Sequence, residues 1–457
     1  MHLEFHGGAG GVTGSHTVLD TGKGRLAVDA GTFQGGDGQD ELNRRGFCHN
    51  VRGLQAVILT HAHIDHSGRL PYLVKQGYGG PIFATMASAD LCDVMLRDSA
   101  RLMEEESIHG GRHPDQGLAR PPLYDEADVE RTLRRFRPVR YGEPFGAAGV
   151  PALFRDAGHI LGSATLELEL GGRRLVMSGD LGRPGSPILR NPEPVAEADW
   201  LVLESTYGDR EHADKQDRGR RLYDIIRETV GRGGNVVIPA FAVGRTQDIL
   251  YELNHYSERG LLKGVPVFVD SPMAISASEI YRRHPECYDS ETKALLSRGD
   301  DPLSFPGMRH TRSREDSKAI NALRDPHIVI SASGMCAGGR VVHHLAHNIE
   351  RPESTILFVG YQAEGTLGRR IKDRTGPVRL LGKEFQPRAQ VEVLDAFSAH
   401  ADRSELLDWL ASFKRFPETV FLNHGEEASS ASLAEAVRSR FGADVRIPAR
   451  GSKELLE

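Results

Sequence analysis

The chain of 457 residues has little of what would place it outside an ordinary globular fold. Its four cysteines, Cys48, Cys92, Cys287 and Cys336, stand far apart with no CxxC pair. That argues against a disulfide framework or a thiolate zinc site and for free thiols in a reducing compartment. No run approaches the roughly 18 apolar residues of a membrane helix, and the opening MHLEFHGGAGGV lacks the charged-then-apolar layout of a secretory signal. A cytoplasmic location is expected. Positive charge is also short: the formal net charge is -6, so no overall basic field argues for a nucleic-acid partner, and any such surface must be local. Lysine is scarce, 10 against 47 arginines. Arginine's planar fork suits paired phosphate contacts, although GC-rich coding gives the same bias.

What is present is enough for substantial cores: 39% hydrophobic and 26% charged residues, on a length that predicts two or three domains. Short apolar runs at Arg25 to Asp29, Ala56 to Thr60, Arg174 to Met177 and Leu201 to Leu203 read as strands, with helical segments at Gly68 to Gln76 and Ala87 to Met103. Residues 104–122 read as a loop or lid. From about residue 208 strands alternate with helices: Asn235 to Phe241, Val265 to Asp270, Ile328 to Ser331 and Thr355 to Tyr361. This alternation implies a largely parallel sheet, with 297–317 as a polar interruption. Beyond residue 390 come VEVLDAF, a helix from Arg403 to Phe413, the strand TVFLN and a helix from Ser429 to Arg440.

The densest chemistry is Thr60-His61-Ala62-His63-Ile64-Asp65-His66-Ser67-Gly68, directly after the apolar run AVIL. His61 and His63 lie two apart, so an extended backbone aims both imidazoles to one side, while Asp65 and His66 begin the next turn and aim elsewhere. One segment can thus serve two metals, but four ligands do not fill two shells. His159 in DAGHILGS, Asp180 in VMSGDLG and His424 in FLNHGEE each follow a strand-like run beside glycine, where a side chain projects from a sheet end. Each alone is as readily an ordinary polar residue.

This set resembles the metallo-β-lactamase superfamily, whose fold is an αββα sandwich. The resemblance implies His61, His63 and His159 on one metal, Asp65, His66 and His424 on the other, Asp180 bridging, and Asp29 of VDAG supporting the ligand loop from behind. Donors without thiolate suit two zinc ions, with manganese or iron as other occupants. Glu204 in LESTYGDR, His400 in FSAHADR and His424 in LNHGEE resemble motifs A, B and C of the β-CASP nucleases. The implied organisation is a metallo-β-lactamase domain over 1–207, an inserted β-CASP domain over 208–395 built on a mainly parallel sheet, and completion of the first domain over 396–457. An imidazole at motif C resembles the RNA-processing branch, and the wording is closest to the nuclease of pre-mRNA cleavage and polyadenylation and its short prokaryotic relatives.

Three segments add an independent reading. PAFAVGRTQ, SASGMCAGGRVVHHL and GYQAEGTLGRR each leave a strand, pass glycine and enter a helix carrying Arg245, Arg340 or Arg369. Helix N-termini favour phosphate, so these arginines, with Ser331, Ser333 and Gly334, are candidate phosphate contacts. The expected activity is a metal-dependent ribonuclease: a metal-activated water attacks the phosphodiester in line, and Asp65 and Asp180 serve the reacting centre. His400, oriented by Glu204, protonates O3′, leaving 5′-phosphate and 3′-hydroxyl products. RNA is the expected partner and no membrane is involved; self-association as a homodimer is left open. Endonucleolytic cutting is favoured over 5′-to-3′ exonucleolytic action. The rivals are a small-ester or thioester hydrolase and a catalytically silent RNA-binding subunit. His343, His344 and His347 are assigned to packing or surface. His6 and His16 flank a glycine-rich turn.

Overall fold

The computed structural model describes residues 1–35, 38–109, 120–212, 217–360, 362 and 365–457. Two seven-stranded sheets form the first lobe. One runs Lys453–Leu455, His2–Gly7, His16–Asp20, Arg25–Val28, Leu54–Ile58, Ile82–Thr85, Phe136–Val139. The other runs Asp444–Arg446, Thr419–Asn423, Trp200–Glu204, Arg173–Met177, Ala164–Leu170, Val150–Asp156, Phe145–Ala147. Strand His2–Gly7 shows why they stack: Leu3 and Phe5 are buried, while His2, Glu4 and His6 alternate on the other face. Leu3, Phe5, Phe154, Leu166 and Phe421 pack together between the sheets. Helices cover the outer faces, Leu91 and Leu96 on one side and Leu406, Trp409 and Leu433 on the other. This is the expected αββα sandwich.

The second lobe is a six-stranded sheet, ordered Met308–His310, Val267–Val269, Ile328–Ser331, Val236–Pro239, Thr355–Phe358, Gln390–Val393, with every pair parallel. It is built from residues lying between strands Trp200–Glu204 and Thr419–Asn423, which are themselves parallel neighbours. The lobe is therefore an insertion between two adjacent strands of the sandwich. Its strands run outward from a common edge, so helices Arg245–Glu258, Arg340–Asn348 and Leu367–Lys372 all begin at the same edge of the sheet.

Two sequence readings are corrected. The helix from Met86 continues to His109, because Met103 to Glu106 are strong helix formers; of the remainder of the expected loop, 110–119 lies outside the described residues and 120–122 is irregular. The stretch 297–317 is not a bare interruption: it contributes the edge strand Met308–His310 and the start of helix Arg314–Ile320, which Ser313 caps through Asp316 N–H. Its three-residue strand is too short for periodicity to reveal.

Candidate metal centre and active site

Strand Leu54–Ile58 delivers the chain to Thr60, and the next residues stay extended until helix Ile64–Ser67. His61 and His63 therefore leave on the extended part, Asp65 and His66 on the helical turn. The loop is held from behind. Asp29 Oδ1 accepts from Thr60 N–H at 2.8 Å, and its Oδ2 accepts from His66 Nδ1–H at 2.7 Å. That bond directs His66 Nε2 inward. The glycine-rich turn after His2–Gly7 also serves the loop, since Ser15 N–H bonds Asp65 O and His424 N–H bonds Gly8 O. Gly31 is required here: a Cβ would stand 1.5 Å from Asp65 O.

The opposite sheet supplies the remaining donors from the loops after Val150–Asp156, Arg173–Met177 and Thr419–Asn423: His159, Asp180 and His424. His63 Nδ1 lies 3.1 Å from both His61 Nε2 and His159 Nε2. One donor atom from each of His61, His63, His159 and Asp180 falls within 4.8 Å of the others, as do those of Asp65, His66 and His424. Asp180 stands between the groups. Its Oδ2 is 3.5 Å from His61 Nε2 and 3.6 Å from His159 Nε2; its Oδ1 is 3.3 Å from His66 Nε2 and 3.4 Å from His424 Nδ1.

The donors fit a pair of cations. Burial pushes the imidazoles of His61, His63 and His159 down, His63 to about 4, so they keep lone pairs free. Burial opposes charge on Asp180, yet His424 and His66 hold its carboxyl well below the usual range. Asp180 Oδ1 is buried without a hydrogen-bond partner among the described residues. An orphaned carboxylate oxygen facing converging imidazole nitrogens is costly unless a cation satisfies it.

Beside this cluster lie the two further sequence candidates. Glu204 Oε1 accepts from Leu181 N–H at 2.7 Å, and its two oxygens sit 3.2 and 3.3 Å from His400 Nδ1. Burial opposes charge on His400, but Glu204, Asp180 and Asp65 outweigh it and push the imidazole up to about 9. With Nδ1–H given to Glu204, Nε2 is left for another partner. The His400 ring lies 4.4 Å from that of His159.

The phosphate candidates fare differently. Arg340 Nη1 donates to Asp270 Oδ1 at 2.7 Å and to Thr311 O, and its Nη2 donates to Arg312 O. Its guanidinium is committed to the fold. Arg369 pairs with Asp373 and Arg245 with Asp248, at 2.5 and 3.0 Å. Ser331 Oγ donates to Asp270 O, Ser333 Oγ accepts from Ala337 N–H, and Gly334 O accepts from Gln362. Each of the three arginine heads expected to meet phosphate already faces a carboxylate, at Asp248, Asp270 or Asp373. His344, assigned to packing, is buried with Nε2 2.7 Å from Asp270. Sequence reading missed Thr206, at 3.3 Å from His424 Nδ1, and His212, whose Nε2 is 3.0 Å from His400 O. Each sits in a polar loop without periodicity; Thr206 had adjacency to Glu204 as its one signal, and His212 had none.

A donor cluster at the shared edge of two stacked sheets, with a parallel-sheet insertion beside it, defines a metal-dependent hydrolase of the αββα class. Family models match along the chain: the metallo-beta-lactamase superfamily over 9–82, the Beta-Casp domain over 246–371 and the Zn-dependent metallo-hydrolase RNA specificity domain over 387–448. Ribonuclease TTHA0252 of Thermus thermophilus is 38% identical over 440 residues, covering 96% of each chain. Transcription termination factor FttA of Methanosarcina mazei is 31% identical, covering 96% of this chain and 69% of its own. A crystal structure of a protein of unknown function from Enterococcus faecalis V583 shares the fold, with TM-score 0.55 at 12% identity over 100% of this chain and 99% of that one. The chain belongs to the β-CASP nucleases of the metallo-β-lactamase superfamily.

Proposed function

We propose that this protein is a metal-dependent ribonuclease that hydrolyses RNA phosphodiesters with two zinc ions, cutting internally and leaving 5′-phosphate and 3′-hydroxyl ends. The observation that carries the reading is Asp180, which turns one oxygen toward each of two donor groups, with the Glu204–His400 pair alongside. His61, His63 and His159 would hold one ion and Asp65, His66 and His424 the other, with Asp180 shared; manganese is the alternative occupant. When bound, the cations supply Lewis acidity to a water and to the phosphoryl oxygens. The chain's own part is positional and protonic. Glu204 fixes the His400 ring through Nδ1 and favours its charged form, so His400 Nε2 holds a proton for the departing O3′. The RNA substrate accords with the family model over 387–448 and with the name of the Thermus thermophilus relative.

The test is digestion of a 5′-phosphorylated and a 5′-blocked RNA by wild type, His400→Ala and Asp65→Ala. Internal cutting of both RNAs by wild type is expected, with cutting lost in both variants and metal lost only with Asp65→Ala. Stepwise removal of nucleotides from the free 5′ end alone would assign the exonucleolytic mode. A zinc-loaded protein that cuts neither RNA would end the ribonuclease reading.

A further inference from the structure

Glu204 fixes the rotation of the His400 ring, but it does not fix the backbone that carries it. His400 belongs to no strand or helix; it lies between the turn Asp395–Phe397 and helix Arg403–Ala411. Two successive peptide groups there are tied from outside at three points. Ala399 O accepts from His159 Nδ1–H at 3.3 Å, His400 O accepts from His212 Nε2–H at 3.0 Å, and Ala401 N–H donates to Leu181 O at 2.8 Å. The first tie comes from a candidate metal ligand and the third from main chain. The middle one comes from a side chain that the proposed chemistry leaves without a role.

His212 is built for that contact. It is buried, its N–H donates to Asp402 Oδ2 at 3.1 Å, and its ring meets Tyr207 edge-on with centroids 4.7 Å apart. Asp402 is in turn pinned, since its other oxygen accepts from Glu405 N–H at 3.0 Å to cap helix Arg403–Ala411. Tyr207 and Asp402 are also bridged through their backbones. A carbonyl oxygen can only accept, so the contact selects the tautomer protonated at Nε2. Burial, helped by the nearby Arg183 charge, pushes the His212 imidazole down and keeps it neutral, with a single ring proton to place.

We propose that His212 is a positioning residue: its Nε2–H holds the His400 carbonyl and so sets where the His400 ring stands over the scissile phosphate. This rests on the ribonuclease reading, in which His400 protonates the leaving oxygen. A displaced proton donor slows the chemical step while leaving RNA binding and metal ligation alone, because His212 touches neither.

The test compares His212→Ala and His212→Gln, each alone and combined with His400→Ala, in single-turnover cleavage of one RNA with zinc content measured alongside. His212→Ala is expected to lower the maximal single-turnover rate by about 30-fold with the half-saturating concentration unchanged within about twofold, as a misplaced catalytic group does. Zinc content should match wild type. His212→Gln, whose amide nitrogen reaches the same carbonyl, should recover most of the rate. On a His400→Ala background, His212→Ala should cost less than about twofold, because the two act through one group. A full loss on that background, a glutamine variant no better than alanine, or zinc lost with the rate would overturn the role for His212 while His400→Ala remained defective. His400→Ala as active as wild type would remove the proton donor, and the positioning role with it.

Discussion

Asp29 touches no candidate metal position, yet it decides how two neighbours present themselves. Its carboxylate accepts from Thr60 N–H and from His66 Nδ1–H, and an amide at this site would turn a donor toward one of them. Asp29→Asn should weaken zinc retention by about 10- to 100-fold in competition with a chelator; unchanged affinity would show that the loop holds its shape without that oxygen. Asp270 plays the comparable part in the inserted lobe. Burial opposes its charge, but hydrogen bonds from His344, Ser317, Thr311 and Arg340 outweigh it and take the carboxyl down to about 2. A carboxyl depressed on folding stabilises fully above its ordinary value near 4 and loses that contribution as pH falls toward 2. Asp270→Asn should therefore cost about 3 kcal/mol at pH 7. The gap between variant and wild type should narrow as urea titrations move from pH 5 to pH 2.5; a constant gap would mean that charge at Asp270 is immaterial.

Elements place these residues by close backbone approach as much as by hydrogen bonding. Gly31 follows strand Arg25–Val28 and lies against the peptide of Asp65, where a Cβ would meet Asp65 O at 1.5 Å and His66 N at 2.7 Å. Gly31→Ala must push the ligand helix Ile64–Ser67 away, so we expect a loss of about 2 kcal/mol in urea unfolding together with reduced zinc content. Loss of stability with full zinc retention would place the strain elsewhere. The HAHIDHSG segment was legible in the sequence because four donors in six residues have few other uses, and the run before it marks a strand. The strands Ile328–Ser331 and Thr419–Asn423 were legible for the same reason, as apolar runs closed by polar residues. What stayed hidden was set by tertiary partners. The Arg369–Asp373 pair is an i,i+4 contact that the sequence did carry, whereas the Asp270 carboxylate that occupies Arg340 is 70 residues away, beyond any local pattern. His212 was hidden likewise, since its partner is a backbone carbonyl 188 residues distant.

At the scale of the whole molecule, the candidate centre joins parts of the chain that lie far apart in sequence. His61, His63, Asp65 and His66 come from one sheet of the sandwich, His159, Asp180 and His424 from the other, and the last arrives only after the inserted lobe has been completed. Ions held there would cross-link the sheets at their common edge and bind the folded chain far better than the unfolded one. Saturating zinc should then raise stability by about 4 kcal/mol when free zinc is a thousandfold above its dissociation constant. Urea unfolding with zinc and with chelator measures the difference, and Asp180→Ala, which removes the shared oxygens, should abolish most of it. Hydrogen exchange locates the effect: chelation should loosen the amides of 60–68 and 424–425 together, though they lie on different sheets, and spare the buried strand Ile328–Ser331 of the inserted lobe. If zinc protects only the 60–68 segment, the centre belongs to one sheet alone, and the bridging role of Asp180 fails with it.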